Sequence, residues 1–170
     1  VFGENAQAFE PDFIGEHFTA AWEPCPAPDL LIAQALLRTK QIRLGPLGHL
    51  LPYHNPVELA HRVAYLDHMA EGRYQVGVGI SALPTDHALF DIDTSDGRNR
   101  RMTFEALDMM IRLWRDGASD HRGEFWSMGA TQSVLPGLGY HLEPYQAPHP
   151  PVAIAGLTPG SENHKLAGEK

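Results

Sequence analysis

One helix and the strand that follows it occupy residues 55–80, which read NPVELAHRVAYLDHMAEGRYQVGVGI. Asn55 is a favoured helix N-cap, and Pro56 suits the first helical position. Apolar residues then recur at helical spacing and predict a face packed on a sheet: Leu59, Val63, Leu66 and Ala70. Gly72 is expected to end the helix, and residues 74–80 alternate as a strand does. The stretch therefore predicts one helix and one strand of a parallel α/β sheet.

The same rhythm recurs along the chain. Further strands are predicted at 12–16, 42–48 and 151–156, and further helices at 29–38 and 99–115. Strand starts near residues 12, 42 and 74 match the spacing of βα units in an eight-stranded barrel of roughly 250 residues. We therefore expect an α/β fold that forms part of a TIM (β/α)8 barrel.

A doubly wound sheet has similar spacing, but its dinucleotide fingerprint is missing. Gly77-Val78-Gly79 lacks the third glycine that should precede a helix. The chain begins in a predicted helix over residues 1–8 and ends in another, so neither end is expected to mark a domain boundary. We expect residues 1–170 to form a single domain that is a piece of a larger barrel.

Residues 121–149 break the βα rhythm. They are rich in glycine, proline and aromatic residues, and Gly123-Glu124-Phe125-Trp126 resembles the turn of a hairpin. The segment is predicted to be an insertion before the last strand. Residues 81–98 are predicted to form a looser connection between the third strand and the following helix.

The composition excludes several classes of partner. A formal net charge of −8 argues against nucleic acid and anionic membranes, because phosphates are neutralised by clustered Lys and Arg. No apolar run approaches the roughly 20 residues that cross a bilayer. The single cysteine, Cys25, excludes an internal disulfide and suits a reducing compartment, so a cytoplasmic protein is expected.

The first predicted strand ends at Glu16-His17-Phe18, at the edge where parallel barrels carry their catalytic residues. His17 is the best candidate for acid–base chemistry, and the alternative is a histidine that only satisfies local hydrogen bonds. Glu16 either orients the ring or closes a polar layer. Although the chain has 10 histidines, none of the usual zinc spacings occurs, and no metal site is predicted.

A second chemical signal lies near the end of the chain. Thr158-Pro159-Gly160-Ser161 connects a predicted strand to a helix N-terminus, where hydroxyls and free N–H groups favour an anion. The turn predicts a phosphate site, unless Ser161 only caps the helix. Gly77 and Gly79 line one face of a strand, which indicates the close approach of a ligand or of another backbone.

Four aromatic residues fall in predicted loops or in the predicted insertion: Trp22, Tyr53, Phe90 and Trp126. They either wall an apolar substrate pocket or pack the loops, and the sequence leaves both interpretations open. No nucleophile elbow occurs, and Cys25 lies in a proline-rich loop, so nucleophilic catalysis is not expected.

Several motifs, in order along nearly the whole chain, resemble those of the bacterial luciferase-like family of flavin-dependent monooxygenases. They are Glu16-His17-Phe18, Leu50-Leu51-Pro52 with Asn55-Pro56, Leu66-Asp67-His68-Met69, Gly72-Arg73-Tyr74, Gly77-Val78-Gly79 and the segment 155–161. In that family the histidine of the first motif is catalytic, and the last segment is the flavin-phosphate turn. Some members also carry an arginine near the position of Ile80 that reaches the phosphate, and its absence leaves the phosphate to the later turn.

The resemblance implies an enzyme that uses O2 and reduced FMN, supplied by a separate flavin reductase, to oxygenate a small apolar organic substrate. It assigns the handling of a proton to His17. The residues it implies for the cofactor are Leu47, Gly48 and Gly79 along the ring and Thr158, Gly160 and Ser161 at the phosphate. A homodimer is expected.

Other functions fit the same pattern. The barrel family includes deazaflavin-dependent oxidoreductases, which transfer hydride, and shortened relatives that store flavin without turnover. A half barrel has open sheet edges, so it should either associate or belong to a longer chain, and a third alternative is that it binds nothing alone. The cofactor on which turnover depends separates the enzymatic alternatives.

Overall fold

A computed structural model describes residues 12–131 and 134–156. Its elements, in chain order, are β1 (Asp12–Ile14), α1 (Pro28–Arg38), β2 (Leu44–Pro46), β3 (His49–Leu50), a 3-10 turn (Leu51–Tyr53), α2 (Pro56–Ala70), β4 (Val76–Gly79), α3 (Pro84–Leu89), α4 (Arg98–Asp116), β5 (His121–Arg122), β6 (Ser127–Met128) and β7 (Val152–Ile154). The predicted helix over residues 1–8, the turn 157–160 and the helix after it lie outside the described residues. Within the described ranges, no helix is long and apolar enough to cross a membrane.

The strands that pair with a partner distant in the sequence are parallel to it. β1 pairs with β2, β3 pairs with β4, and β4 pairs with β7. A single bridge between Leu44 and Tyr74 links the two groups of strands. Because every one of these pairs is parallel, the carboxyl ends of β1, β3, β4 and β7 meet at one edge of the sheet. We call this edge the rim.

The second predicted strand, residues 42–48, is interrupted. It ends as β2 at Pro46, the Leu47–Gly48 peptide is cis, and β3 resumes at His49. The prediction of a loop from His49 was therefore wrong, because two more residues pair with β4 before the 3-10 turn begins. Leu47 N still donates to the Ile14 carbonyl (2.9 Å), but the next donor to β1, Leu50 N, goes to a side chain, as described below.

Helix α2 begins as predicted. The Asn55 side chain accepts hydrogen bonds from Val57 N (2.9 Å) and Glu58 N (3.2 Å), which satisfies two of the free donors at the helix start. The helix ends at Ala70, and Glu71 already adopts the left-handed conformation (φ 51°) ahead of the expected stop at Gly72.

The core lies between the parallel strands and the pair α2 and α4. The predicted α2 stripe is buried, with Leu59, Val63 and Ala70 fully so. Trp114 of α4 crosses to α2, where its indole N–H donates to the Ala60 carbonyl (3.0 Å). Burial of each large side chain stabilises the fold by about 1.5–3 kcal/mol.

Two elements lie outside the parallel sheet. The hairpin β5–β6 is antiparallel, as predicted, and Glu105 of α4 holds its turn by accepting from the backbone N–H groups of Phe125 and Trp126. Helix α3 lies inside the segment 81–98, where no helix was expected. Six residues are too few for a helical period to show in the sequence. The bounds of the predicted insertion, 121–149, stay a prediction.

Candidate functional site at the rim

His17 lies just beyond the end of β1, on the rim, and 27% of its side chain is exposed. Its Nε2 is 3.3 Å from the carboxylate of Glu23, which also accepts a hydrogen bond from Gly15 N (3.3 Å). The ring's Nδ1 is buried and has no hydrogen-bond partner among the described residues. An accessible imidazole beside a carboxylate is suited to taking up and returning a proton.

Leu47, Gly48 and Gly79 meet at the same edge. Gly48 packs against the backbone of Val78 and Gly79, and Gly79 pairs with Leu50 as the last residue of β4. The Leu47 side chain is 38% exposed. On the far side, Ala155 N donates to the Val78 carbonyl (3.0 Å). Ala155 therefore lies beside the end of β4, and the residues predicted for the phosphate, Thr158, Gly160 and Ser161, lie outside the described residues.

The two glycines of β4 have different neighbours. A Cβ on Gly77 would collide with the carbonyl oxygen of Pro46, so this glycine is required by another backbone. A Cβ on Gly79 would meet only the Leu50 Cδ2 atom, at 3.2 Å. The two glycines therefore differ: Gly77 admits the close approach of another backbone, whereas near Gly79 only one described side-chain atom lies where a Cβ would be.

This difference predicts opposite outcomes for two matched substitutions. Gly77→Ala should destabilise the fold by about 1–3 kcal/mol, because the Pro46 carbonyl belongs to a strand and cannot move aside cheaply. Gly79→Ala should cost less than about 1 kcal/mol and instead weaken binding at the rim. Thermal unfolding and FMN titration of both variants check this, and equal destabilisation by the two would contradict it.

Aromatic side chains wall one end of the rim. Tyr53 stacks on Phe90 with ring centroids 4.2 Å apart, and Phe18 meets Phe90 edge-on at 4.7 Å. The Tyr53 hydroxyl is 2.6 Å from Ser81 Oγ, and burial, together with the charge of Asp86, raises the pKa of Tyr53 above its ordinary value despite that hydrogen bond. The structure thus places two of the four aromatics singled out in the sequence together on the rim.

The other two aromatics lie elsewhere. Trp22 is 74% exposed, with its ring 6.1 Å from that of His17. Trp126 packs on α4, where its indole N–H points to the Met102 carbonyl (3.4 Å). Trp126 is therefore a packing residue of the hairpin and does not wall the rim.

Helix α3 lies at the end of the rim that carries the aromatic wall. Asp86 attaches this helix to the segment after β1, and this residue was not identified from the sequence. Asp86 is fully buried and accepts hydrogen bonds from Phe18 N (3.5 Å) and from the Thr19 hydroxyl. These contacts fasten α3 to the end of β1. The only sequence signal was Pro84, which suits the first position of a helix.

A charged cluster lies beside the rim and is formed by the buried Glu16, Asp29 and His49 together with the partly exposed His54 and Arg62. Glu16 contacts His54, while Asp29 contacts Arg62 Nε (2.7 Å) and His49 Nε2 (3.1 Å). Burial raises the pKa of Asp29, but the hydrogen bond and charge of His49 and the charge of Arg62 outweigh it, so the net pKa lies below the ordinary value. The cluster ties β1, β3, α1 and α2 together.

Three members of this cluster have the chemistry of metal ligands. Glu16, His49 and His54 each offer one ligand atom, and these three atoms lie within 4.8 Å of one another. Sequence spacing gave no sign of this group, since Glu16 is distant in the sequence and the spacing of His49 and His54 matches no usual zinc motif. The side chains are already paired with each other or with Asp29, and Arg62 Nη2 stands 3.4 Å from His54 Nδ1, which opposes a further cation.

The chain is similar in sequence to proteins of a known family. Residues 7–170 match the family described as luciferase-like monooxygenase. The chain belongs to this family. It is 36% identical over 171 residues to 2,5-diketocamphane 1,2-monooxygenase 2 of Pseudomonas putida, covering 95% of this chain and 46% of that protein. It is 31% identical over 158 residues to the oxygenase component of the flavin-dependent trigonelline monooxygenase of Acinetobacter baylyi, covering 91% of this chain and 40% of that protein.

A solved structure agrees with this membership. The oxygenating constituent of 3,6-diketocamphane monooxygenase from Pseudomonas putida, a type II Baeyer-Villiger monooxygenase in complex with FMN, superposes with a TM-score of 0.81 at 31% identity. The match covers 92% of this chain and 44% of that one. The chain therefore spans under half the length of these relatives. The predicted α/β fold of the luciferase-like type is confirmed, and the described residues form no closed barrel.

The rim fits a flavin ring. Gly48 and Gly79 are buried and bring two stretches of backbone without side chains together, and the exposed Leu47 side chain lies beside them. We call these three residues the apolar strip, and the partly exposed His17 stands at the same edge. A flat aromatic ring needs such a strip, because a side chain at Gly79 would hold it away from the strand.

Proposed function

We propose that this protein is an FMN-dependent monooxygenase that uses reduced FMN and O2 to oxygenate a small apolar organic substrate. The observation that carries the proposal is the side-chain-free backbone of Gly48 and Gly79 on the same rim as a partly exposed histidine, His17. Membership of the luciferase-like monooxygenases and the FMN complex of a similar structure support it. Bound reduced flavin supplies the electrons with which O2 is activated.

The chain's own residues would bind and orient that cofactor. Leu47, Gly48 and Gly79 would lie along one side of the ring, where a packed apolar edge would exclude water. Thr158, Gly160 and Ser161 would hold the phosphate, at the start of the chain that follows β7. The backbone hydrogen bond between Ala155 and Val78 supports this, because it brings the segment before the turn to Gly79.

His17 would hold and move the proton. Its Nε2 faces Glu23, and that carboxylate orients the ring. A proton held at Nε2 can pass to a substrate oxygen or return from it. Exposure of the ring keeps it in exchange with solvent.

Substrate would lie against the aromatic wall of Phe18, Tyr53 and Phe90. These side chains offer an apolar surface, and the Tyr53 hydroxyl with Ser81 adds one polar point. Two of the similar proteins are diketocamphane monooxygenases. We infer that an apolar ketone, whose carbonyl oxygen can accept one hydrogen bond, is the substrate class.

A separate flavin reductase is the proposed partner, as the names of similar proteins include an oxygenase component and an oxygenating constituent. A homodimer and the insertion over residues 121–149 are also proposed.

Reductase-coupled turnover tests the function. The purified protein should oxygenate apolar ketones when FMN, NADH and a flavin reductase are supplied, and isotope from 18O2 should enter the product. A reduced deazaflavin should not replace FMN. Turnover with deazaflavin and without O2 would establish the hydride-transfer alternative, and FMN binding without any oxidation would establish a flavin-binding protein.

A further inference from the structure

The Glu16 side chain, and not the β1 backbone, accepts the hydrogen bond from Leu50 N. The segment that contains β2 and β3 makes its last backbone hydrogen bond to β1 from Leu47 N to the Ile14 carbonyl (2.9 Å). Three residues on, Leu50 N donates to Oε2 of Glu16 (2.7 Å), whose side chain is buried, at 2% exposure. A carboxylate that accepts a backbone N–H forms a charge-assisted hydrogen bond, stronger than a neutral one.

His54 secures this carboxylate in a defined tautomer. Its Nε2 is 2.9 Å from both oxygens of Glu16, and its Nδ1 faces Arg62 Nη2 at 3.4 Å. A guanidinium can only donate, so Nδ1 accepts and the hydrogen of the neutral ring is on Nε2. Arg62 is fixed in turn by Asp29. The series from Asp29 through Arg62 and His54 therefore ends on Glu16, and the contacts of His54 with Glu16 and Arg62 pair donors with acceptors.

We propose that Glu16 is a positioning residue for the flavin site, held in place by His54 and Arg62. Glu16 precedes His17 in the chain, and its carboxylate holds Leu50, which pairs with Gly79 and follows Gly48 by two residues. One side chain thus sets the spacing between the histidine and the strip along which the ring lies. The inference rests on the proposed function. Glu16 itself touches neither cofactor nor substrate.

The test is Glu16→Gln, because the amide keeps the shape of the side chain but has one acceptor oxygen in place of two. Leu50 N and His54 Nε2 are both donors, so the amide NH2 must face one of them. The FMN dissociation constant should rise about tenfold. The matched control is Glu58→Gln, the same change at the exposed partner of Arg62 (3.4 Å), which should stay within about twofold of the parent protein.

A second readout does not depend on FMN. In 15N-detected NMR, His54 of the parent protein should carry its hydrogen on Nε2, and Glu16→Gln should remove that signature. Should Glu16→Gln fail to fold, His54→Gln leaves the bond between Leu50 and Glu16 in place, and a rise in the dissociation constant of about threefold is expected. An unchanged constant in that variant then overturns the inference.

The outcomes separate the two proposals. If the parent protein binds no FMN, both the proposed function and this inference are contradicted. A parent protein that binds FMN, with Glu16→Gln binding equally well, overturns the inference alone. Stoichiometric zinc or iron in the purified protein would place a metal on His54 Nε2 and also overturn it.

Discussion

Replacing His17 with alanine should lower the rate of substrate oxygenation by about two to four powers of ten. The methyl group cannot hold or return a proton, while the apolar strip at Gly48 and Gly79 is untouched. The FMN dissociation constant should therefore change by less than about threefold. Reductase-coupled turnover, measured as product formed per NADH consumed, gives the rate, and uncoupled NADH consumption should rise.

The control for this experiment is His68→Ala on α2. His68 bonds the Glu143 carbonyl (2.9 Å), away from the rim, and its loss should leave turnover within about twofold of the parent. Unaltered oxygenation by His17→Ala would remove the acid–base assignment and leave the histidine as a local packing residue.

Replacing Asp29 with asparagine should destabilise the protein by about 2–4 kcal/mol. Asp29 pairs with Arg62 and His49 and accepts a hydrogen bond from the Tyr74 hydroxyl (3.4 Å), and its loss leaves the buried partners without their countercharge. Breaking a buried pair costs about 3–5 kcal/mol, and we expect less here because the Arg62 side chain is 36% exposed. Urea unfolding of the two proteins at pH 7 measures the difference.

The same pair predicts a pH dependence. The pKa of folded Asp29 lies below the ordinary value of 3.8, so the unfolded chain binds its proton first as the pH falls. The stabilisation is therefore fully present well above pH 3.8 and is lost as the pH falls through the folded pKa. The gap in unfolding free energy between parent and Asp29→Asn should be constant from pH 7 to about pH 5 and shrink below about pH 4. A gap that widens toward low pH would contradict the assignment.

The parts of the fold that follow one local rule were predictable from the sequence. The cap at Asn55 and the buried stripe of α2 each depend on a few neighbouring residues. Because parallel strands end at one edge, the order of strands along the chain was enough to assign His17 and Gly79 to the same rim. The family resemblance supplied the cofactor.

The charged cluster and α3 could not be predicted in this way. Glu16, Asp29 and Arg62 come from three separate segments, and their partners are chosen by tertiary packing. The hydrogen bond from Leu50 N to Glu16 joins two separate segments, and alternation alone gives no sign of it. Gly77 and Gly79 look alike in the sequence and differ only in what lies opposite each of them.

The position of the flavin ring on the rim is the claim on which the rest depends, and a crystal structure of the protein with FMN tests it directly. We predict that the isoalloxazine lies along Leu47, Gly48 and Gly79, with the His17 ring within about 4 Å of it and the phosphate beyond the end of β7. Electron density for the ring at the opposite ends of the strands, or a side chain of this protein filling the strip at Gly79, would contradict that position.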